Sequence, residues 1–252
     1  MQRYFTELSY KGTNYHGWQI QPNAASVQEA LEKAFSLILR SPVKITGAGR
    51  TDTGVHAEFY IAHFEYKEII TDIRQFIFRL NRILPKDVAV YKIYPVSEDM
   101  HARFSAVSRT YRYQIARQKL PFASDFSYYV YGSLDVAAMQ KASDIMLKYR
   151  DFTSFSKMHT DTQNNLCEIY EADFQEKSGL LLYEITANRF LRNMVRAIVG
   201  TLIDIGQRKI SPEQIGKIIE QKNRSAAGKS VPGKGLFLTD IQYPKAQLPP
   251  NH

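Results

Sequence analysis

A single cysteine, Cys167, is all the thiol chemistry in a chain of 252 residues. It rules out an intrachain disulfide and fits a reducing, cytoplasmic compartment. Acidic charge is also scarce: 25 Asp and Glu stand against 33 Lys and Arg, a formal net charge of +8. That surplus favours a polyanionic partner, although a merely basic enzyme carries the same charge. No apolar run approaches the roughly 20 residues of a membrane-spanning helix. Met1-Gln2-Arg3-Tyr4 is not the opening of a secretory signal. The six histidines and one cysteine show no metal-ligand spacing, so no metal is expected. There is no G-x-G-x-x-G, and Gly228-Lys229-Ser230 lacks a phosphate loop's first glycine, with Asn223 in its place. No cofactor is expected.

The chain holds enough apolar residues, 44%, to bury a sizeable core without staples. Arg3 to Tyr10 alternates as a strand. Ser26 caps a helix whose apolar face runs from Val27 through Leu31 and Phe35 to Leu39, with Glu29 as capping-box partner. Lys44 to Thr46 and Glu58 to Tyr66 read as strands, and Asp72 to Leu84 as a helix. Val88 to Tyr94 and Ser108 to Arg117 read as further strands. Asp135 caps a third helix, and Cys167 to Phe174 and Leu181 to Ala187 form a hairpin around Lys177-Ser178-Gly179. A helix is predicted from Arg189 to about Ile205, another from Ser211-Pro212, and a last strand from Leu236 to Tyr243. The pattern predicts an α+β fold of two similar halves, 1–105 and 106–246, with a disordered tail at 247–252. Their antiparallel sheets join into one extended sheet with helices on one face. A parallel α/β fold is the alternative, and the hairpin argues against it.

Three clusters carry chemistry. Gly49-Arg50-Thr51-Asp52-Thr53-Gly54-Val55-His56-Ala57 aims one carboxylate from a glycine-bounded loop, with Arg50 near enough to favour its ionised form. Asp52 reads as a nucleophile or general base. A turn aspartate bonding its own backbone is the plain alternative, and half of a dimeric aspartic protease site is another. Arg189, Arg192 and Arg196, spaced i, i+3, i+7, form one cationic stripe on the predicted helix, suited to phosphate or carboxylate. Arg109, Tyr111 and Tyr113 share one strand face, an arrangement suited to stacking on a base and pairing with phosphate. Tyrosines capping the core explain it equally well. Tyr15-His16-Gly17-Trp18-Gln19 adds an aromatic loop that Trp18 anchors if it is buried. Cys167, inside an alternating strand, is most simply a buried hydrophobe.

Together these segments resemble the tRNA pseudouridine synthase A family over almost the whole chain. The resemblance rests on Y-H-G-W-Q at 15–19, G-R-T-D-T-G-V-H-A at 49–57, H-A-R-F-S-A-V-S-R-T-Y-R-Y at 101–113, D-F-T-S-F at 151–155, F-L-R-N-M-V-R-x-I-V-G-T-L at 190–202 and G-L-F-L at 235–238. One segment departs: where the family often reads A-G-x-T-A-P-A, this chain has Ala227-Gly228-Lys229-Ser230-Val231-Pro232-Gly233. The resemblance implies an isomerase that converts uridine to pseudouridine at positions 38, 39 and 40 of the tRNA anticodon stem-loop, without a cofactor. It implies a homodimer and a basic catalytic cleft between the halves. Asp52 matches the catalytic aspartate, Tyr111 the tyrosine that stacks on the target base, and Arg196 the arginine that keeps the aspartate ionised. Leu236 matches an apolar wall and Arg50 an arginine that contacts the flipped nucleotide. His56, Arg109, Arg189 and Arg192 are further substrate-binding candidates. Asp52 can attack C1′, add to C6 of the ring, or assist elimination to a glycal. An RNA-binding protein without catalysis shares the charge and the aromatics but has no need of Asp52 and Arg196.

Overall fold

The computed structural model describes residues 1–157 and 164–244, and the expected tail at 247–252 lies outside them. In chain order the elements are β1 (Gln2–Tyr10), α1 (Val27–Leu39), β2 (Ile45–Gly47), β3 (His56–Tyr66), α2 (Ile73–Ile83), β4 (Val88–Val96), β5 (Ser108–Ala116), β6 (Tyr128–Tyr129), α3 (Val136–Met146), β7 (Ile169–Lys177), β8 (Leu180–Ala187), α4 (Met194–Gly206), α5 (Gln214–Glu220) and β9 (Leu236–Gln242). Backbone contacts group them into two units: Met1–Val107 with the chain from Leu238 on, and Ser108–Phe237. Chain order alone does not express that grouping, because the last strand joins the first unit.

In the first unit the strand order is β4-β1-β3-β9, with β2 on β3. β1 lies antiparallel to both β3 and β4, so the parallel alternative fails. Tyr4 and Phe5 point to opposite faces of the sheet, yet both are buried. On the Tyr4 face, Tyr4 stacks on Phe64, and Phe64 meets Phe35 of α1, which meets Phe76 of α2. On the other face, Phe5 packs against Tyr94 and Tyr243. The edge strand β4 is sealed by a side chain: the Asn81 amide donates to the Val90 carbonyl at 2.7 Å and accepts from its N–H at 2.8 Å.

The second unit has the order β5-β8-β7, antiparallel, with β6 a short parallel partner of β5. The β7–β8 hairpin turns on Ser178 and Gly179, both at positive φ, the two-residue turn that matches strand twist. The edge of β7 has its own seal. Gln140 of α3 donates to the Ala172 carbonyl and accepts from the Phe174 N–H, each at 3.0 Å. The predicted caps at Ser26 and Asp135 form, and Asp72 caps α2 in the same way: each accepts from the N–H three residues on. Each cap stabilises its helix by about 1 kcal/mol. At α5, Gln214 reaches back to the Ser211 N–H at 2.7 Å.

One predicted element is corrected. The helix expected from Arg189 begins only at Met194. Asn193 stands before it at φ 67°, a left-handed conformation that no α-helix continues through. Arg189 and Arg192 therefore lie outside the helix. An i, i+3, i+7 spacing makes a stripe only on helical backbone, so the three-arginine face does not exist. Nor is α4 half polar: Met194, Val195, the run from Ala197 to Ile203, Ile205 and Gly206 are all buried. A helix apolar all round is a core helix.

Candidate active site

Residues Gly49 to Val55 join β2 to β3, while His56 and Ala57 already belong to β3. The backbone on both sides of Asp52 is tied to buried groups. Upstream, the Tyr60 hydroxyl donates to the Gly49 carbonyl. The hydroxyls of Tyr10 and Thr51 bond at 2.9 Å, and the Thr51 carbonyl accepts from the Trp18 N–H at 3.3 Å. Downstream, the Val55 N–H donates to the Asp52 carbonyl at 3.2 Å, and the Gly54 N–H to the Tyr15 carbonyl at 3.4 Å. His56 Nδ1 accepts from the Gly12 N–H at 3.0 Å. The anchors are themselves locked: Trp18 stacks on Tyr60 with ring centroids 4.2 Å apart, and Tyr10 meets Tyr60 edge-on at 5.5 Å.

The close approach of two backbones demands glycine. A Cβ at Gly12 would lie 1.9 Å from the Val55 carbonyl oxygen, and one at Gly17 would lie 2.2 Å from that of Thr51. Gly17 is also at φ +98°. The Y-H-G-W-Q segment is thus the bed on which the Asp52 loop rests, and Trp18 is a core residue. Thr51 and Val55 are buried, Asp52 is half-buried between them, and Arg50 is exposed. His56 is 2% exposed, so it holds the loop from beneath. A turn at Asp52 accounts for the Val55–Asp52 bond but not for the anchors from Tyr10, Tyr15, Trp18 and Tyr60.

In the second unit, Tyr111 lies on β5 opposite Ile185 of β8. Its half-buried ring meets Phe190 edge-on at 5.1 Å and 89°. Arg109, two residues back, donates to the Asn188 carbonyl at 2.8 Å. The third member of the expected face, Tyr113, belongs to the core: it is fully buried and its hydroxyl donates to the Pro232 carbonyl at 2.8 Å. Burial raises its hydroxyl pKa above the usual tyrosine range.

Arg196 is half-buried on the first turns of α4, where the other side chains are apolar. Its Nε donates to the Val231 carbonyl at 2.7 Å, and the Val231 N–H donates back to the Arg196 carbonyl at 3.2 Å. The segment before Val231 is knotted to α4. Ser230 Oγ accepts from Asn193 Nδ2 at 2.6 Å and from Arg224 Nη2 at 2.9 Å. Arg224 Nη1 donates to the carbonyls of Ala227 and Gly228, and the Gly228 N–H donates to Thr201 Oγ1 at 2.8 Å. Leu236 is buried at the start of β9.

Phe190, Asn193 and Arg224 escaped the sequence reading. Phe190, three residues beyond the end of β8, becomes a partner of Tyr111 only in the folded chain. The knot around Ser230 is joined to Asn193 and Thr201 by contacts 37 and 27 residues apart in sequence, which no local spacing signals.

A model of the tRNA pseudouridine synthase family matches residues 8–105 and 149–244. The chain belongs to that family. Asp52 and Arg196 fall inside the matched residues, and Arg109 and Tyr111 between them. Among relatives, the chain is 49% identical to tRNA pseudouridine synthase A of Parabacteroides distasonis over 249 residues, 99% of each chain. It is 50% identical to that of Bacteroides thetaiotaomicron, over 97% of this chain and 92% of the relative. The Bacillus subtilis enzyme of the same name is 38% identical over 94% of this chain and 97% of its own length. The synthase is an isomerase acting on uridine in tRNA. Among the described residues no cluster of His, Cys, Asp and Glu fits a metal ion, and no helix is long and apolar enough to cross a membrane. Burial pushes the Cys167 thiol up to about 11, which keeps it protonated and unreactive at neutral pH.

Proposed function

We propose that the synthase isomerises uridines 38, 39 and 40 of the tRNA anticodon stem-loop with Asp52 as its nucleophile. The observation that carries the assignment is the anchoring of the Asp52 loop. A carboxylate flanked by buried Thr51 and Val55, each tied to a glycine-bedded backbone, is aimed at no entropic cost during reaction. The N1–C1′ bond breaks, the uracil turns, and C5 joins C1′. The proton leaving C5 balances the one gained at N1, so no external group is consumed. In this reading Tyr111 stacks on the base, Phe190 holding its ring edge-on, and Arg196 supplies the catalytic cation. Leu236 supplies apolar wall, and Arg50, Arg109, Arg189, Arg192 and His56 serve substrate binding. Of these, buried His56 acts by holding the loop. The same reading has the enzyme working in the cytoplasm as a homodimer.

The test is Asp52→Asn on an unmodified tRNA transcript, with no cofactor added. Pseudouridine formation falls by several orders of magnitude while the transcript still binds. Retained turnover refutes the assignment, and modification outside positions 38–40 refutes the proposed target.

A further inference from the structure

The H-A-R-F segment, His101 to Phe104, has no part in the assignments above, yet it is among the most firmly pinned turns in the first unit. It leaves β4 and ends before β5. Met100 and Ala102 are buried, while Arg103 and Phe104 are exposed, Phe104 by 75%. Every residue of the turn is tied. The Arg3 guanidinium donates to the Met100 carbonyl at 3.0 Å. The Ala102 N–H donates to His63 Nδ1 at 3.1 Å, and the Ala102 carbonyl accepts from the Tyr243 hydroxyl. His101 closes the turn on itself. Its Nδ1 accepts from the N–H groups of Arg103 and Phe104 at 3.0 and 3.2 Å, and its own N–H donates to Ser105 Oγ at 2.9 Å.

The product of this bracing is a fixed pair of exposed groups. The His101 ring lies 4.4 Å from the Phe104 ring, and the Arg103 guanidinium carbon 5.4 Å from its centroid. Isolated exposed aromatics are ordinary. Phe122 and Tyr131 are exposed too, but among the described residues neither has a cation stacked on it. A packing role does not explain a phenylalanine held three-quarters in water by hydrogen bonds from three other parts of the chain. A stacking platform does: the ring offers a π-face, the arginine sits beside it, and the turn is ordered before the ligand arrives. The chain's net charge of +8 and its tRNA substrate select the ligand class.

We infer that Phe104 and Arg103 form a tRNA contact, the ring stacking on an unpaired base and the guanidinium meeting a neighbouring phosphate. This contact supplies affinity, and its loss leaves the chemistry at Asp52 in place.

The experiment measures binding and turnover of an unmodified tRNA transcript by the full chain carrying Phe104→Ala, Phe104→Leu, Phe104→Trp or Arg103→Ala. Loss of one stack raises Kd by about 5- to 150-fold in Phe104→Ala. KM rises in step, and kcat at saturating transcript changes much less. Phe104→Trp binds within a few-fold of wild type, whereas Phe104→Leu, apolar but without a π-face, binds like Ala. Arg103→Ala lowers the slope of log affinity against log salt by about one. Wild-type affinity in Phe104→Ala, or full affinity in Phe104→Leu, overturns the inference. So does an affinity loss that accompanies a smaller species in sedimentation, which would place the ring between two copies of the chain. Wild-type turnover of the same transcript tests the proposed function separately, because binding by Phe104 variants is read whether or not uridine is converted.

Discussion

Gly17→Ala is the most informative single change for the proposed mechanism, because it displaces the Asp52 loop through its backbone and leaves every side chain of the reaction unaltered. A methyl at this position would sit 2.2 Å from the Thr51 carbonyl oxygen and 3.3 Å from the Asp52 carbonyl carbon. Ordinary contact begins near 3.4 Å, so the loop backbone must retreat by roughly 1 Å. The methyl also meets backbone, which cannot rotate away as a side chain can. Residue 17 is at φ +98°, where an L-residue is strained by about 1–2 kcal/mol. Overpacking adds about 1–3 kcal/mol. The sum, about 2–5 kcal/mol, lowers Tm by on the order of 10 °C in a chain of this size. The catalytic effect is larger in proportion, since a 1 Å misplacement of a reacting group costs about 100-fold in rate. Single-turnover pseudouridine formation at 20 °C, where the variant is still folded, therefore falls about 100-fold, with transcript affinity changed by only a few-fold. Turnover within threefold of wild type in a folded Gly17→Ala protein would refute the claim that the 15–19 segment positions Asp52.

Two further outcomes are expected. Arg224→Ala removes the Arg224 donors from the carbonyls of Ala227 and Gly228 and leaves Ser230 Oγ with Asn193 Nδ2 alone. It costs about 1–3 kcal/mol of stability in urea denaturation and lowers kcat through Arg196 more than it raises KM. Lys at 224 restores stability only in part, because an ammonium cannot reproduce the guanidinium fork, and an unaltered kcat in Arg224→Ala would sever the link to Arg196. His63 is held at about 4, chiefly by burial and then by His101 and Arg3. Unfolding frees it to titrate near 6.5. Between those values the unfolded chain takes up a proton that the folded one refuses, so stability falls as pH drops from about 6.5 to about 4. At up to about 1.4 kcal/mol per unit, that totals about 3 kcal/mol. His63→Asn, which keeps an acceptor for the Ala102 N–H and cannot titrate, removes His63's share of the pH slope. Equal slopes in the two proteins would show that His63 titrates elsewhere.

The sequence alone carried everything that is local or compositional. Its helix caps at Ser26 and Asp135 were legible because a cap is a contact three residues long. The strands showed in their alternation, and the β7–β8 hairpin in Ser178-Gly179, because a tight turn needs residues that tolerate positive φ. The candidate catalytic carboxylate stood out for the same reason, concentrated in one short glycine-bounded motif. Tertiary structure decided what each spacing means. Three arginines at helical intervals are a stripe only if the backbone is helical, and Asn193 ends that condition one residue before Met194. Trp18 and Tyr113 could face solvent or core, and burial of neighbouring strands settled both for the core. Phe190 beside Tyr111, the bond from Asn193 to Ser230, and the bracing of the His101–Phe104 turn by Arg3, His63 and Tyr243 are all made between residues distant in sequence. Such contacts cannot be read from one chain's order, because their partners are chosen by strand register and by which backbones the glycines let approach.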